Sequence, residues 1–465
     1  MKIISKMLKF VAVFLLVVGI QSCSNDDDNN VVDPGPQNIV QLAVATPSLS
    51  NLVAALQAAD GDLVAVLSGP GPFTVLAPTN DAFAAFLSDN GFNSLNDVPT
   101  DVLSQILLNH VIAGDVLSTD LVAAGSGYAS TSATGAGGRN LSIYYNTSNG
   151  VRFNNAGSVT SADIDASNGT IHIVDGVIGL PSIVDHAAAN PSFSTLVGAL
   201  SSANLVDAVN GFTEGTVLAP VNSAFEELDA IPTGEALSQV LLNHVVATNV
   251  FSDNLIDAVT GYANTLATGP GGNNLSLYYN TSDGVVFNGA SEVAVADVVA
   301  TNGVIHAVDA VILPPTIATF ATTNSALNSL VAALQLADTG TPTVPWIETV
   351  SDASAGPFTV FAPTNGAFAD LLLELDPSGN TALGDLAPAT VDAVLLMHVV
   401  GANVQSSGLP NGSVTTLGGN IMANNTAFTL TDPNGRVSDI VTTLVDIQGV
   451  NGVVHVIDKV ILPQQ

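Results

Sequence analysis

The chain has 465 residues, 47% of them hydrophobic, with 40 acidic against seven basic side chains and a formal charge of −33. That apolar content excludes disorder for the bulk, the shortage of basic residues excludes a nucleic-acid footprint, and a single cysteine, Cys23, excludes any disulfide within the chain. The acidity reads as solubility, or else as carboxylates that divalent cations bridge to an acidic polymer. No stretch follows the D-x-[DN]-x-[DN]-G pattern of a calcium loop.

Residues 1–22 read as an export signal. Lys2, Lys6 and Lys9 precede an apolar run over residues 10–20, too short to cross a bilayer as a helix. Ile20-Gln-Ser-Cys23 follows and resembles the lipobox of bacterial lipoproteins, which implies cleavage before Cys23 and acylation of Cys23. The other reading is an ordinary signal peptide with an incidental cysteine. Acyl chains would hold the protein on a membrane surface without spanning it. Ser24-Asn-Asp-Asp-Asp-Asn-Asn30 is similar to the surface-export signal of lipoproteins in the Bacteroidetes group, or is a solvated spacer. With Pro34 and Pro36, residues 23–37 form a tether.

The rest repeats. Phe73-Thr-Val-Leu-Ala-Pro-Thr-Asn-Asp-Ala-Phe83 returns as Gly215-Thr-Val-Leu-Ala-Pro-Val-Asn-Ser-Ala-Phe225 and as Phe358-Thr-Val-Phe-Ala-Pro-Thr-Asn-Gly-Ala-Phe368. Pro78, Pro220 and Pro363 lie 142 and 143 residues apart, a domain length rather than a solenoid period. Three modules are expected, over residues 38–181, 182–314 and 315–465. Each opens with a helical pattern: Leu52, Ala55 and Leu56 share one face. A strand over Phe73 to Leu76 ends at Pro78, and Thr79 or Asn80 caps the next helix. In module two, Ser223 and Glu226 have capping-box spacing.

A second helix ends in Leu107-Leu-Asn-His-Val-Ile112, Leu241-Leu-Asn-His-Val-Val246 and Leu395-Leu-Met-His-Val-Val400. Hairpins follow. Asn149-Gly150 and Asp283-Gly284 predict tight turns in modules one and two, and Asp432-Pro-Asn-Gly435 a longer one in module three. The closing strands are Asn168-Gly-Thr-Ile-His-Ile-Val-Asp175, Asn302-Gly-Val-Ile-His-Ala-Val-Asp309 and Asn451-Gly-Val-Val-His-Val-Ile-Asp458. Helices before strands predict an α+β module with helices on a largely antiparallel sheet or wedge. In module three Phe358 lies 20 positions after Asp338, against 13 from Asp60 to Phe73, and this insertion holds the only tryptophan, Trp346. The joins at Pro181-Ser182 and Pro314-Pro315 are short and suggest a stiff rod.

Six histidines sit in repeated boxes: His110, His172, His244, His306, His398 and His455. A pair per module invites a metal or acid–base site, but no third ligand recurs beside them. Apolar flanks favour buried hydrogen bonds to backbone carbonyls. Asp175, Asp309 and Asp458 suit the same structural work. No G-x-S-x-G elbow occurs, and Gly135-Ala-Gly-Gly138 and Gly269-Pro-Gly-Gly272 precede strands, so they read as turns and not phosphate loops. The residues call for no metal, cofactor or enzymatic activity. Tyr144-Tyr145 and Tyr278-Tyr279 lie on strands, where neighbours face opposite sides. One ring of each pair is a candidate for stacking on a sugar; sheet packing is the alternative.

Together these boxes resemble the fasciclin, or FAS1, domain, three times over. The resemblance implies a β-sandwich-like wedge with several α-helices, and roles in cell adhesion and matrix attachment. Expected partners are extracellular matrix, a cell-surface protein or a polysaccharide, with membrane contact by the lipid anchor only. Many members carry a tyrosine before the histidine of the middle box, a pair linked to adhesion; Asn109, Asn243 and Met397 stand there instead. None of Arg139, Arg152 and Arg436 begins an Arg-Gly-Asp tripeptide. The expected protein is a multivalent surface adhesin. A glycan-capture protein or a passive spacer are the alternatives.

Overall fold

A computed structural model describes residues 35–464. The export signal, Cys23 and most of the tether lie outside the described residues. In each repeat a polar side chain caps the first helix. Asn38 caps Ile39–Ala45, Ser182 caps Ile183–Ala189, and Thr316 caps Ile317–Thr323, each in a capping box. Among the described residues no single helix is long and apolar enough to cross a membrane.

The central strand of module one, Phe73–Pro78, pairs antiparallel with Val111–Ala113 and parallel with the closing strand Gly169–Val174. Pro78, Pro220 and Pro363 each end the corresponding strand, opposite Val174, Val308 and Ile457. Having no N–H, each proline leaves the next residue to make the bond, as Thr79 does to the Val174 carbonyl at 3.1 Å. Seven strands close into a barrel in each of modules one and two. Module three divides its strands into two four-stranded sheets. Helices pack on one side over separate apolar clusters, centred on Phe83, Phe225 and Phe368.

The first residues of the closing box hold each module shut. The Asn168 side chain accepts from the Ile39 N–H at 3.0 Å and donates to the carbonyls of Leu67 and Gly69. Asn302 and Asn451 repeat this with Ile183 and Ile317. The next residue is glycine because φ is +142° at Gly169, and a Cβ there would sit 1.9 Å from the Phe73 carbonyl oxygen.

Two local expectations need correction. Ser223 and Glu226 form no capping box. Helix Asn222–Glu226 starts after Val221, which stands where Thr79 and Thr364 cap modules one and three and has no oxygen to offer. Asn222 instead accepts from the Thr195 N–H, tying two helices together, as Asn80 and Asn365 do with Asn51 and Ser329. The hairpins at Asn149-Gly150 and Asp283-Gly284 are not two-residue turns. Pairing stops at Asn146 opposite Arg152 and at Asn280 opposite Val286, leaving five residues between. Asn146 and Asn280 each bend the chain early by accepting from the N–H two residues on.

Candidate functional site

The repeated histidines are buried, and backbone groups satisfy both ring nitrogens. His110 Nδ1 donates to the Ile106 carbonyl at 2.7 Å, and Nε2 accepts from the Ile178 N–H at 2.9 Å. His244 does the same with Val240 and Ile312, and His398 with Val394 and Ile461. Each imidazole joins the end of a helix to the segment after the closing strand. Burial pushes the pKa of His110, His244 and His398 down to about 4, partly offset by the carbonyl, so all three are neutral at pH 7. On the closing strands, His172, His306 and His455 donate through Nε2 to the carbonyls of Val116, Val250 and Val404. Through Nδ1 they accept the N–H of Asp163, Asp297 and Asp446. Asp175, Asp309 and Asp458 accept backbone N–H groups of neighbouring strands at 2.6 to 2.7 Å. Among the described residues no three His, Cys, Asp or Glu side chains gather at metal-binding reach.

Asn109 and Asn243, beside the middle-box histidines, are fully buried. Each donates to a carbonyl after the closing strand and accepts from Thr131 or Thr265. Met397, also buried, takes their place in module three.

The tyrosines divide by face. Tyr145 and Tyr279 are half-buried, each ring lying over the glycine opposite it, Gly127 or Gly261. Tyr144 and Tyr278 are buried to 3% exposure and are not free for a ligand. Each meets a second tyrosine across the hairpin, Tyr128 or Tyr262, at a ring-centroid distance of 5.2 Å. These second tyrosines, not singled out in the sequence, enter the next module.

Tyr128 of module one packs against the core of module two. Its hydroxyl accepts from Asn190 at 3.1 Å, and its ring stands edge-on to His186 at 5.7 Å. Tyr262 does the same to module three, with Asn324 at 3.1 Å and Phe320 at 5.8 Å. Ser142 and Ser276 accept from the backbone N–H groups of Val299 and Gln448 across the same joints. The turn at Gly135 lies against Val299, so a Cβ there would come within 2.7 Å. Gly269 is placed likewise against Gly449 and Gln448. The glycine-rich turns are therefore module-to-module seats. In module three the corresponding hairpin, Gly412–Thr416 with Gly419–Asn424, sets Ser413 opposite Met422, and the tyrosine pair is gone.

This geometry defines a class: tandem α+β modules, each closed by buried histidine and asparagine bonds, the first two seated on the module that follows by a tyrosine. The fasciclin domain model matches residues 47–181, 191–314 and 323–463, and the chain belongs to the fasciclin-domain family. It is 41% identical over 140 residues to Protein sll1483 of Synechocystis sp., covering 72% of that protein and 30% of this chain. It is 28% identical over 446 residues to transforming growth factor-beta-induced protein ig-h3 of Oryctolagus cuniculus, and 26% identical over 419 residues to Homo sapiens periostin. Those two alignments cover 94% and 86% of this chain, but the chain spans only 59% and 44% of the two relatives' lengths. A solved FAS1 domain pair from the insect cell adhesion molecule Fasciclin I aligns over 57% of this chain and 97% of the pair, at TM-score 0.35 and 18% identity.

Proposed function

We propose that this protein is a lipid-anchored, surface-displayed adhesion protein whose three modules bind extracellular matrix, a cell-surface protein or a polysaccharide multivalently. The modules are residues 38–181, 182–314 and 315–465, behind a signal over residues 1–22, an acylated Cys23 and a tether to residue 37. Fasciclin domains are associated with cell adhesion and extracellular binding in related proteins. The observation that carries the reading is the pair of built joints. Three copies of one binding fold sit in fixed succession, so weak sites on separate modules act together. The recurring polar residues are consumed in backbone bonds, which favours binding over catalysis.

A glycan-capture role is the second reading. The half-buried rings of Tyr145 and Tyr279 favour it, as do fungal relatives named fasciclin-like arabinogalactan proteins, one of them 24% identical over 255 residues.

Residues 24–465, applied to glycan and matrix-protein arrays with and without Ca²⁺, separate the readings. The adhesion reading expects matrix or cell-surface binding that Tyr145→Ala and Tyr279→Ala leave intact. Binding only to soluble oligosaccharides, lost in those variants, would replace it with glycan capture. A blank array would leave a spacer.

A further inference from the structure

We propose that module three binds a neutral, apolar small molecule in a cavity that modules one and two do not share. The cavity, of about 220 Å³, opens between helix Asn365–Leu375, the turn Leu383–Asp385 and helix Pro388–Leu396. Phe368, Leu371, Leu372, Leu386, Val391 and Val394 form its walls, and Thr390 is the one polar side chain at its edge.

Comparison with module one shows what this space accepts. There the same place lies between helix Asn80–Asp89 and helix Thr100–Asn109. Phe92, in the loop between them, packs onto the core that contains Phe83 and Leu103. Module two shortens the region: its helix is only Asn222–Glu226, and Leu228 packs inward just after it. In module three the helix is one residue longer than in module one, and the loop that follows, Asp376-Pro-Ser-Gly-Asn-Thr-Ala382, has no aromatic residue. That loop folds on its own aspartate. The Asp376 carboxylate accepts from Ser378, Asn380 and Thr381, which holds the loop away from the cavity. Phe92 covers part of the apolar core of module one, and module three leaves its own apolar walls to be covered by a group from outside.

The chemistry of the walls fixes the ligand class. A buried hydrogen-bonding group would find no partner there except Thr390, which disfavours polar ligands. Asp376 and the exposed Asp385 are chain neighbours of the lining residues Leu375 and Leu386, Glu374 is paired with Arg436 at 2.6 Å, and the chain carries a net charge of −33, which disfavours anionic amphiphiles. Leu375, 54% exposed beside the opening, gives a bound molecule further apolar surface to cover. A neutral molecule of one or two rings, or a short branched chain, meets these conditions.

The test uses residues 24–465 and a neutral fluorescent probe, N-phenyl-1-naphthylamine, beside the anionic anilinonaphthalene sulfonate. The neutral probe is expected to saturate at one site per chain and to bind more tightly than the anionic one. Thr390→Trp, which sets an indole into the cavity, is expected to weaken it by roughly tenfold or more. Leu375→Asp, a change at an exposed position that the fold tolerates, should weaken it several-fold. Leu373→Ser, exposed on the same helix but outside the cavity, should change nothing. Unsaturable binding, equal affinity in Thr390→Trp, equal loss in Leu373→Ser, or preference for the anionic probe would each overturn the proposal.

Discussion

The two joints share one plan and differ in the ring that meets the tyrosine. In both, a tyrosine passes under the first helix of the next module and takes an asparagine bond at 3.1 Å. In the first joint that tyrosine meets the imidazole of His186; in the second, the phenyl of Phe320. His186 is fully buried. Its Nε2 donates to the Val299 carbonyl at 3.2 Å, while its Nδ1 has no partner. The first joint also carries Arg139, which stacks over Phe251 at 3.9 Å and pairs with Asp253. Asn273 stands at the matching place in the second. One architecture thus supports an aromatic seat that cannot titrate and another that can.

The largest effect should come from removing either tyrosine. Tyr128→Ala and Tyr262→Ala each leave a cavity under the next module's helix and take the partner from an asparagine Nδ2, at a cost of about 3 kcal/mol. Each should loosen its own joint and spare the other. Exchange protection of Ile183–Ala189 against Ile317–Thr323 would show this, and loss at both joints from one substitution would break the comparison.

Acid should come next and should act more on the first joint than on the second. Burial lowers the His186 pKa to about 4, against the pull of the Val299 carbonyl and of Asp185 beside it. The unfolded or undocked form then takes up a proton first as pH falls below about 6.5. Stability contributed by neutral His186 is therefore full above that pH and is lost as pH falls towards 4, by about 2 kcal/mol near pH 5. His110, His244 and His398 titrate in the same sense, one per module, and burial lowers His306 and His455 as well, so every module weakens in acid; His186 differs in standing against the tyrosine of the first joint. Differential scanning calorimetry from about pH 7 to 5 should show the first joint's transition falling further than the second's.

His186→Phe should then make the joints alike. It removes an unpaired buried nitrogen and loses one hydrogen bond, so at pH 7 the change should be within about 1 kcal/mol. The acid sensitivity specific to the first joint should vanish. A variant as acid-labile as the natural chain would show that another group titrates there. Arg139→Ala should have the smallest effect, since its ion pair is half-exposed and screened by salt. Its small loss should shrink further in high salt and be absent from the second joint.

Much of the module was legible in the residues. The closing boxes carry a structural role that their repetition suggested: Asn168, Asn302 and Asn451 each bond the start of a module's first helix and the loop beside it. The buried histidines could be read from their apolar flanks. Local geometry misled where a neighbouring side chain acted first: Val221 displaced the cap expected at Ser223, and Asn146 bent the hairpin before Asn149. The joints were not legible from pattern alone, because each partner lies in another module. Yet Tyr128 precedes Asn190 by 62 residues, and Tyr262 precedes Asn324 by the same 62. That matched interval stops at module three, where Ser413 stands in place of the tyrosine. Tyr144 and Tyr278 looked available for a ligand only because strand alternation says which face a ring takes and not what covers that face.

The most direct test of the paired joints is hydrogen exchange of the whole ectodomain at about pH 7 and about pH 5, corrected for intrinsic exchange rates. The account predicts that Ser126–Thr134 and Ile183–Ala189 lose more protection in acid than Thr260–Thr268 and Ile317–Thr323, and that His186→Phe abolishes the difference. Equal loss at both joints, or a difference that survives His186→Phe, would contradict it.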